Sequence, residues 1–501
     1  MKFSNYNHLE LEPEIQQYWK KNKILEKLRA KNKAGKSWTF LQGPPYTSGK
    51  VHLGTAWNTV LKDMALRYKR SRGFNVWDRN GYDVHGLPTE LKVMEKHHLK
   101  TKEDIEKFGV AKFVKECIKF CTVMGEQMTK DFLRLGSTLD YSDSYLAFNS
   151  DYMEGEWWLV KKAWDKDRLY LGQKVMTWCQ NCETALAKHE CEYQNVKDSS
   201  IFVKLKLKDK KNEYLIIWTT TPWTIPFNLA VMVNPELDYL KVEVEGEKWI
   251  LAKALAGLVV QSVFNKKMKV VEEFKGQEME GLEYTHPFEK FIPEYARLKA
   301  KHPKVHTVIL SQEHVDTSSG SGLVHCAPGC GPEDQEAGRP YDLPPYNSLA
   351  ENGYFPEEMG KFSGLRPKFD DQKFVEALQE EKVLLAVTDV EHEYPHCWRC
   401  HRPVIFRATK QWFFRIEDLR EEMIAENKKV RWTPLTQAFD AWTAHLKDNS
   451  ITRQRYWGTP VPIWKCSDAK CQNIEVIGSL AKLKESAKTI PKNIHRPWID
   501  K

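Results

Sequence analysis

GPPYTSGKVHLGTAWN (Gly43–Asn58) and NGYDVHGLPTE (Asn80–Glu90) decide the fold of this chain. Ahead of the first lies WTFL (Trp38–Leu41), a short apolar run that Gly43-Pro44-Pro45 stops abruptly, so it reads as a strand. From Trp57 onward Val60, Leu61, Met64, Ala65 and Tyr68 fall on one face of an amphipathic helix, closed by Arg72-Gly73. A second strand, Phe74–Trp77, leads into the loop Gly81–Glu90. Strand, glycine-rich turn, helix and strand begin a nucleotide-binding parallel sheet. The turn offers backbone N–H groups and a helix N-terminus to an anion. Neither standard phosphate motif fits. The glycines are wrongly spaced for GxGxxG, Gly49-Lys50 stands one residue too far from Gly43 for a phosphate loop, and Val51 replaces its Ser or Thr.

His52-Leu53-Gly54-Thr55 is similar to the HxGH signature of class I aminoacyl-tRNA synthetases, with Thr55 in place of the last His. The run Gly43–Glu90, and GYDVHGLPTE above all, resembles the isoleucyl-tRNA synthetases; the valine and leucine enzymes carry different words here. The resemblance extends from Leu9 to Lys501. It implies an α/β fold: the N-terminal half of a Rossmann-type parallel-sheet catalytic domain, with an inserted β-barrel editing domain and a zinc knuckle. It also implies ATP with Mg²⁺, isoleucine and tRNA(Ile) as reactants, and Zn²⁺ as a structural ion. Attack of a carboxylate on the α-phosphate of ATP needs alignment and charge stabilisation more than proton chemistry. By the resemblance, His52 contacts ATP phosphates and Gly54 lets adenine pack against the backbone. Pro44, Pro45 and Tyr46 line the amino-acid and adenylate groove, Asp83 holds the substrate ammonium, and His85 and Glu90 join the substrate-binding group. Thr55 offers one hydrogen bond but no positive charge. Arg453, Arg455 and Trp457 in RQRYWG match a segment beside the active site; acceptor-stem contact and a structural ion pair both remain open for them.

A length of 501 residues suggests about three domains. With 41% hydrophobic and 29% charged residues the composition is that of a globular protein with sizeable cores. The net charge of +8 suits a polyanionic partner without proving one. The N-terminus lacks a signal-peptide pattern and no run of ~18 apolar residues appears, so no membrane span and a cytoplasmic location are expected. Eleven cysteines, several in CxxC pairs, favour thiols and metal over disulfides.

Along the chain, residues 1–170 read as N-terminal helices plus the first half of the catalytic domain. An apolar stripe of Phe113, Phe120, Met124, Met128, Phe132 and Leu133 marks a core helix. Residues 171–195 and 390–410 carry two knuckles, Cys179/Cys182 and Cys397/Cys400, expected to close on one zinc; reduced structural thiols are the alternative. His189, Cys191, His396 and His401 are spare ligands nearby, and Cys466 with Cys471 offers half of another site. Cys117, Cys121, Cys326 and Cys330 read as buried thiols. Residues 196–389 alternate short β-rich runs with turns, which predicts an all-β insertion. Residues 411–501 return to the catalytic domain and a connective segment.

Within the insertion, Thr219-Thr220-Thr221, with Thr224, suits either plain strand formers or a polar pocket wall. The loop GSGLVHCAPGCGPED (Gly320–Asp334) adds a His and an acidic pair. Both stretches resemble the proofreading domain of isoleucyl-tRNA synthetases. By that resemblance the threonines line a hydrolytic pocket for Val-tRNA(Ile), and His325 and Asp334 hold the mischarged amino acid, in preference to Glu333. A second site has a physical reason, since one methylene in an apolar pocket discriminates by only ~1–3 kcal/mol, a range for which isoleucine–valine discrimination by this very family is the standard example. No KMSKS-like segment or anticodon-binding domain follows, so a C-terminal half carrying both is an expected partner. Two other functions fit parts of the pattern: a free-standing Val-tRNA(Ile) deacylase and a zinc-ribbon tRNA-binding fragment.

Overall fold

The computed structural model describes residues 6–432, 437–468 and 470–500, and the side chain of His189 lies outside the described set. The chain divides into two compact units: residues 1–170, 414–446 and 455–501 form the first, and 171–413 with 447–454 the second.

In the first unit β1 (Ser37–Leu41) and β2 (Asn75–Arg79) pair in parallel, with Thr39 opposite Trp77. The connecting helix α1 (Leu53–Ser71) is capped by His52 and ends at Arg72, where Gly73 turns at φ +79. The helix buries the face opposite to the one its periodicity predicts. Thr59, Asp63, Leu66 and Arg70 are inside, while Trp57, Val60, Leu61, Met64 and Tyr68 are exposed. Polar chemistry holds the buried side. Asp63 accepts from the Thr138 N–H at 2.6 Å and from Arg67 at 2.6 Å. Arg70 pairs with buried Asp78 and donates to Thr138 Oγ1 at 2.8 Å. A buried network of ion pairs and hydrogen bonds of this kind outweighs apolar patterning. Helix α2 (Leu87–Lys96) packs on α3 (Val110–Arg134), whose Phe113, Cys117, Cys121, Met128 and Phe132 are buried while Leu133 is exposed.

The second unit is built on a sheet that closes on itself. β3 (Cys191–Leu207) pairs with β4 (Glu213–Thr219); β4 meets β8 (Val324–Cys326), which pairs with β5 (Ala230–Val233), which pairs with β7 (Thr307–Leu310). From β7 a bridge between Thr307 and Glu283 leads into β6 (Tyr284–Thr285), and β6 returns to β3. The ring is a small barrel, and closure removes its edges. The unit is not all-β, as its composition predicts. Helix α4 (Pro332–Gly338) follows the loop after β8, and α5 (Asp371–Glu380) buries Phe374, Val375, Ala377 and Leu378. Those apolar positions fall at helical spacing among strand-rich neighbours, which is why composition hides them. Then β9 (Leu384–Cys397) runs back along β3 from Leu384 opposite Val203 to Cys397 opposite Cys191.

Candidate functional site

The turn before α1 is tied to the loop after β2. Asp83 N–H donates to the Pro45 carbonyl at 3.0 Å, Thr47 N–H donates to the Asp83 carbonyl at 3.0 Å, and the Tyr46 hydroxyl donates to the His85 carbonyl. Pro45 and Thr47 are thereby tied to Asp83, and Tyr46 to His85, with Pro44 next in the chain. Asp83 is exposed as a residue, yet the atoms crowding its carboxyl raise its pKa against the pull of the Val84 N–H. At the helix start, His52 Nδ1 accepts from the Thr55 N–H at 3.3 Å, and its Nε2 lies 3.0 Å from Thr55 Oγ1. With Nδ1 accepting, Nε2 carries the proton and Thr55 accepts it. Thr55 thus orients His52, a role the sequence does not reveal. Gly54 makes room for that ring, since a Cβ there would lie 3.2 Å from its Cε1.

Two residues expected to bind substrate are committed elsewhere. Glu90 is 1% exposed; its Oε1 accepts from the Tyr456 and Trp457 N–H groups at 2.8 Å each, and Oε2 pairs with Arg455 at 2.8 Å. Both oxygens are used, so Glu90 clamps the RQRYWG segment and is not placed to contact substrate. For Arg455 the structural ion pair is the observed outcome. His85 Nε2 lies 2.9 Å from His495 Nε2, and His495 Nδ1 donates to Asn493 Oδ1 at 2.6 Å. His495 Nε2 is therefore the acceptor and His85 the donor. Burial holds both imidazoles neutral, with pKa values lowered to about 3 for His85 and about 4 for His495.

In the second unit, a cavity of about 360 Å³ is lined by all six residues singled out there: Thr219, Thr220, Thr221, Thr224, His325 and Asp334. The threonines stand at the end of β4 and in the turn beyond it, where the strand has stopped and their hydroxyls are free to converge. Thr219 and Thr221 Oγ1 are 3.1 Å apart, and Thr221 and Thr224 Oγ1 are 3.2 Å apart. Asp334, in the first turn of α4, accepts from the Ala327 N–H at 2.8 Å. Protein atoms packed round its carboxyl, with neighbouring Glu333 adding repulsion, push its pKa up to about 7 against that hydrogen bond. Gly331 is needed beside it, because a Cβ would come within 2.9 Å of the Asp334 Cγ. Glu333 points to solvent. Cys330, read from sequence as an ordinary buried thiol, also lines the cavity.

Cys179, Cys182, Cys397 and Cys400 bring their sulfurs within 4.8 Å of one another, with Cys179 and Cys400 Sγ 3.5 Å apart. Tetrahedral zinc with bonds of ~2.3 Å places its sulfurs ~3.8 Å apart, so this donor set fits the ion. The Cys182 N–H points at Cys179 Sγ from 3.3 Å, a donor suited to a thiolate. Donation from its three cysteine neighbours lowers the pKa of Cys397. Cys191, His396 and His401 stand outside this group, and Cys466 and Cys471 are exposed. The purified chain is expected to carry about one zinc, and Cys397→Ser to lose it; metal analysis finding none in the parent would refute the site.

The profile of the class I tRNA synthetases (I, L, M and V) matches residues 14–501. The chain belongs to this family. The isoleucine–tRNA ligase of Pyrococcus horikoshii is 43% identical over 99% of the chain, which covers 49% of that protein. The ligase of Methanopyrus kandleri is 43% identical over 98% of the chain and 47% of its own length. That of Methanocaldococcus jannaschii is 42% identical over 99% and 49%. This synthetase chain thus spans about half the length of the curated relatives it matches.

Two residues behind the cavity wall, Asn228 and Tyr284, carry no sequence signal and act through His325. Asn228 Nδ2 lies 2.8 Å from the Ala230 carbonyl and 2.8 Å from His325 Nδ1, and the Tyr284 hydroxyl donates to Asn228 Oδ1 at 2.5 Å. The amide nitrogen must donate to His325 Nδ1, which leaves the proton on Nε2, 2.9 Å from Thr224 Oγ1. Thr224 in turn donates to the Thr221 carbonyl at 2.7 Å. His325 therefore acts as a neutral donor that fixes Thr224, with no lone pair open to the cavity. Asn228, nine residues beyond Thr219 in an apolar stretch, belongs to no motif.

Burial lowers the pKa of His325 to about 4, of His306 to about 4, and of His286 well below its ordinary value. A base with a depressed folded pKa contributes stability that is complete above its unfolded value, near 6.5, and is lost as pH falls toward 4. For His306 and His325 the loss is on the order of 3 kcal/mol each once both states are protonated. The histidines pull the melting temperature of the second unit down between pH 6.5 and 4, while Asp334 and Asp371, whose folded pKa values burial raises, push it up over the same range. His306→Gln should therefore tilt the melting temperature upward at pH 4 relative to pH 6.5, compared with the parent; an unchanged pH dependence would contradict a buried neutral His306.

Proposed function

We propose that the chain is the N-terminal part of an isoleucine–tRNA ligase, carrying half of the synthetic site and a complete site for hydrolysis of Val-tRNA(Ile). The observation that carries the reading is the cavity in which the Asp334 carboxylate faces a cluster of threonine hydroxyls. A misattached valine presents an ammonium group beside an ester. Asp334 binds the ammonium through a charge-assisted hydrogen bond. Hydroxyls of the Thr219–Thr221 turn orient water toward the ester carbonyl, whose acyl C–O bond breaks as the ribose oxygen takes a proton. Threonine methyls narrow the cavity against isoleucine. The choice of isoleucine rests on the relatives' names and 43% identity; valine follows as the amino acid one methylene smaller, which an isoleucine pocket rejects only weakly.

For the synthetic half, the N-terminus of α1 with His52, Gly54 and Thr55 is assigned to the ATP phosphates and adenine, with Mg²⁺ neutralising charge on the polyphosphate. Pro44, Pro45 and Tyr46 are assigned to the amino-acid groove and Asp83 to its ammonium. The zinc of the four-cysteine knuckle is assigned a structural role, and tRNA(Ile) is the nucleic-acid partner. Residues 1–170 and 411–501 belong to the catalytic domain in this reading, 171–195 and 390–410 to the knuckle, and 196–389 to the editing domain; the protein works in the cytoplasm. Among the described residues no helix is long and apolar enough to cross a membrane.

Deacylation of preformed Val-tRNA(Ile) by the chain, and ATP–pyrophosphate exchange with a complementing C-terminal half, test the two parts. In that complemented enzyme Asp83→Ala should raise the isoleucine KM, since a desolvated ammonium loses its charge partner at a cost of ~2–5 kcal/mol. Deacylation should be unchanged. A joint fall of both activities would make Asp83 a structural residue.

A further inference from the structure

Hydrolysis in the threonine-lined cavity needs a group that takes a proton from water, and the residues assigned above leave that place open. His325 has no lone pair facing the cavity, since Nδ1 accepts from Asn228 and Nε2 donates to Thr224. Asp334 Oδ2 accepts the Ala327 N–H, and its carboxylate is the partner of the substrate ammonium. Burial raises the pKa of the Cys330 thiol well above its ordinary value, so it stays protonated near neutral pH. Two further titratable residues line the same cavity, His314 and Asp316, on the segment between β7 and β8. Asp316 Oδ1 already accepts from the Ser318 N–H at 2.9 Å and the Ser318 hydroxyl at 2.7 Å, and those donors lower its pKa. His314 is half-buried, and among the described residues its imidazole has no hydrogen-bond partner.

The backbone that carries His314 is fixed from several directions. Its N–H donates to Ser311 Oγ at 3.3 Å, and the Ser311 N–H donates to the Val233 carbonyl at 2.8 Å. Asn234 Nδ2 donates to the Gln312 carbonyl at 3.3 Å and to the Val315 carbonyl at 2.9 Å, which clamps the chain on both sides of His314. Val315 is buried. Further on, Gly320 turns at φ +73 against the Trp218 ring, where a Cβ would meet Cε3 at 3.0 Å, and Val324 pairs with Trp218. The segment therefore runs beside the end of β4, from which the threonine turn departs. We propose that His314 is the general base of this cavity, taking the proton of the water that attacks the aminoacyl ester. The proposal rests on the editing reading for its substrate. As the water oxygen bonds to the acyl carbon, one water proton moves to the imidazole. The acyl C–O bond then breaks, the imidazolium returns that proton to the ribose oxygen, and valine leaves with its carboxyl proton passing to solvent. Histidine suits both transfers, since its neutral and charged forms interconvert near neutral pH.

The test follows single-turnover deacylation of preformed Val-tRNA(Ile) by the full chain. His314→Ala and His314→Gln should each slow it by about a hundredfold or more, the range that general-base catalysis supplies. Glutamine keeps a hydrogen-bonding side chain but takes no proton, so it separates proton transfer from positioning. Thermal unfolding of both variants should match the parent, because the imidazole gives up no hydrogen bond. Added imidazole should raise the rate of His314→Ala by about tenfold or more, since it brings a base into the vacated space. It should leave His314→Gln unchanged, whose amide fills that space. A rate within threefold of the parent for His314→Ala, full activity of His314→Gln, or a deficit in His314→Ala that imidazole does not relieve would each overturn the proposal. An active parent with active variants removes the base alone. A parent that leaves Val-tRNA(Ile) intact removes the editing reading and the base with it.

Discussion

Asp334→Ala is expected to stop hydrolysis of Val-tRNA(Ile), slowing single turnovers of the preformed ester by roughly thirty- to a thousandfold. The contact removed is a charge-assisted hydrogen bond in a confined cavity, worth ~2–4 kcal/mol in the transition state. Glu333→Ala should change the rate little, since that side chain is exposed and the Ala327 N–H and the cavity wall belong to Asp334. The pH profile carries an independent signature. With the Asp334 pKa at about 7, the rate should rise with pH through that value as the carboxylate forms. Stability should move the other way. An acid whose folded pKa is raised contributes stability that is complete below its unfolded value and is lost as pH rises through about 7. Asp334→Asn should consequently melt higher than the parent above pH 7 while remaining inactive. Equal damage from Glu333→Ala and Asp334→Ala, or unimpaired hydrolysis in the latter, would move the editing site elsewhere.

Glu90→Ala should lower the stability of the first unit by ~3–5 kcal/mol, because it strands a buried guanidinium and two backbone donors. Arg455 is 9% exposed at its side chain, and the Tyr456 and Trp457 N–H groups lose their acceptor. For a unit of this size the melting temperature should fall on the order of 10 °C. Glu90→Gln keeps the shape and one acceptor oxygen, so it should recover part of the loss. Removing both partners in Glu90→Leu with Arg455→Met should cost less than Glu90→Ala alone, since no charge is left uncompensated. Deacylation should be preserved throughout. Melting within a degree of the parent for Glu90→Ala would show that the clamp contributes nothing.

Local pattern determines a good deal of this molecule. The strand, turn, helix and strand of residues 37–79 follow from the apolar run before Gly43-Pro44-Pro45 and the helical spacing after Trp57, because those signals are short-range. The four cysteines of the two knuckles are legible as a metal set, since CxxC spacing constrains each pair by itself. The threonine run is ambiguous as sequence; β4 ends at Thr219, which turns the next hydroxyls into a cavity wall instead of a strand face. What tertiary structure alone decides depends on partners far away in the chain. The periodicity of α1 identifies an amphipathic helix but points to the wrong buried side, because Asp63 and Arg70 meet Thr138 across some seventy residues and Arg70 also pairs with Asp78. Glu90 resembles a ligand-binding acid within its own motif, and only Arg455, Tyr456 and Trp457, more than 360 residues on, commit its oxygens. Asn228 carries no motif at all; it matters because the barrel brings it to His325 and thereby sets which nitrogen holds the proton. Periodicity reports which residues prefer to be buried, whereas long-range hydrogen bonding and ion pairing select which of them this chain buries.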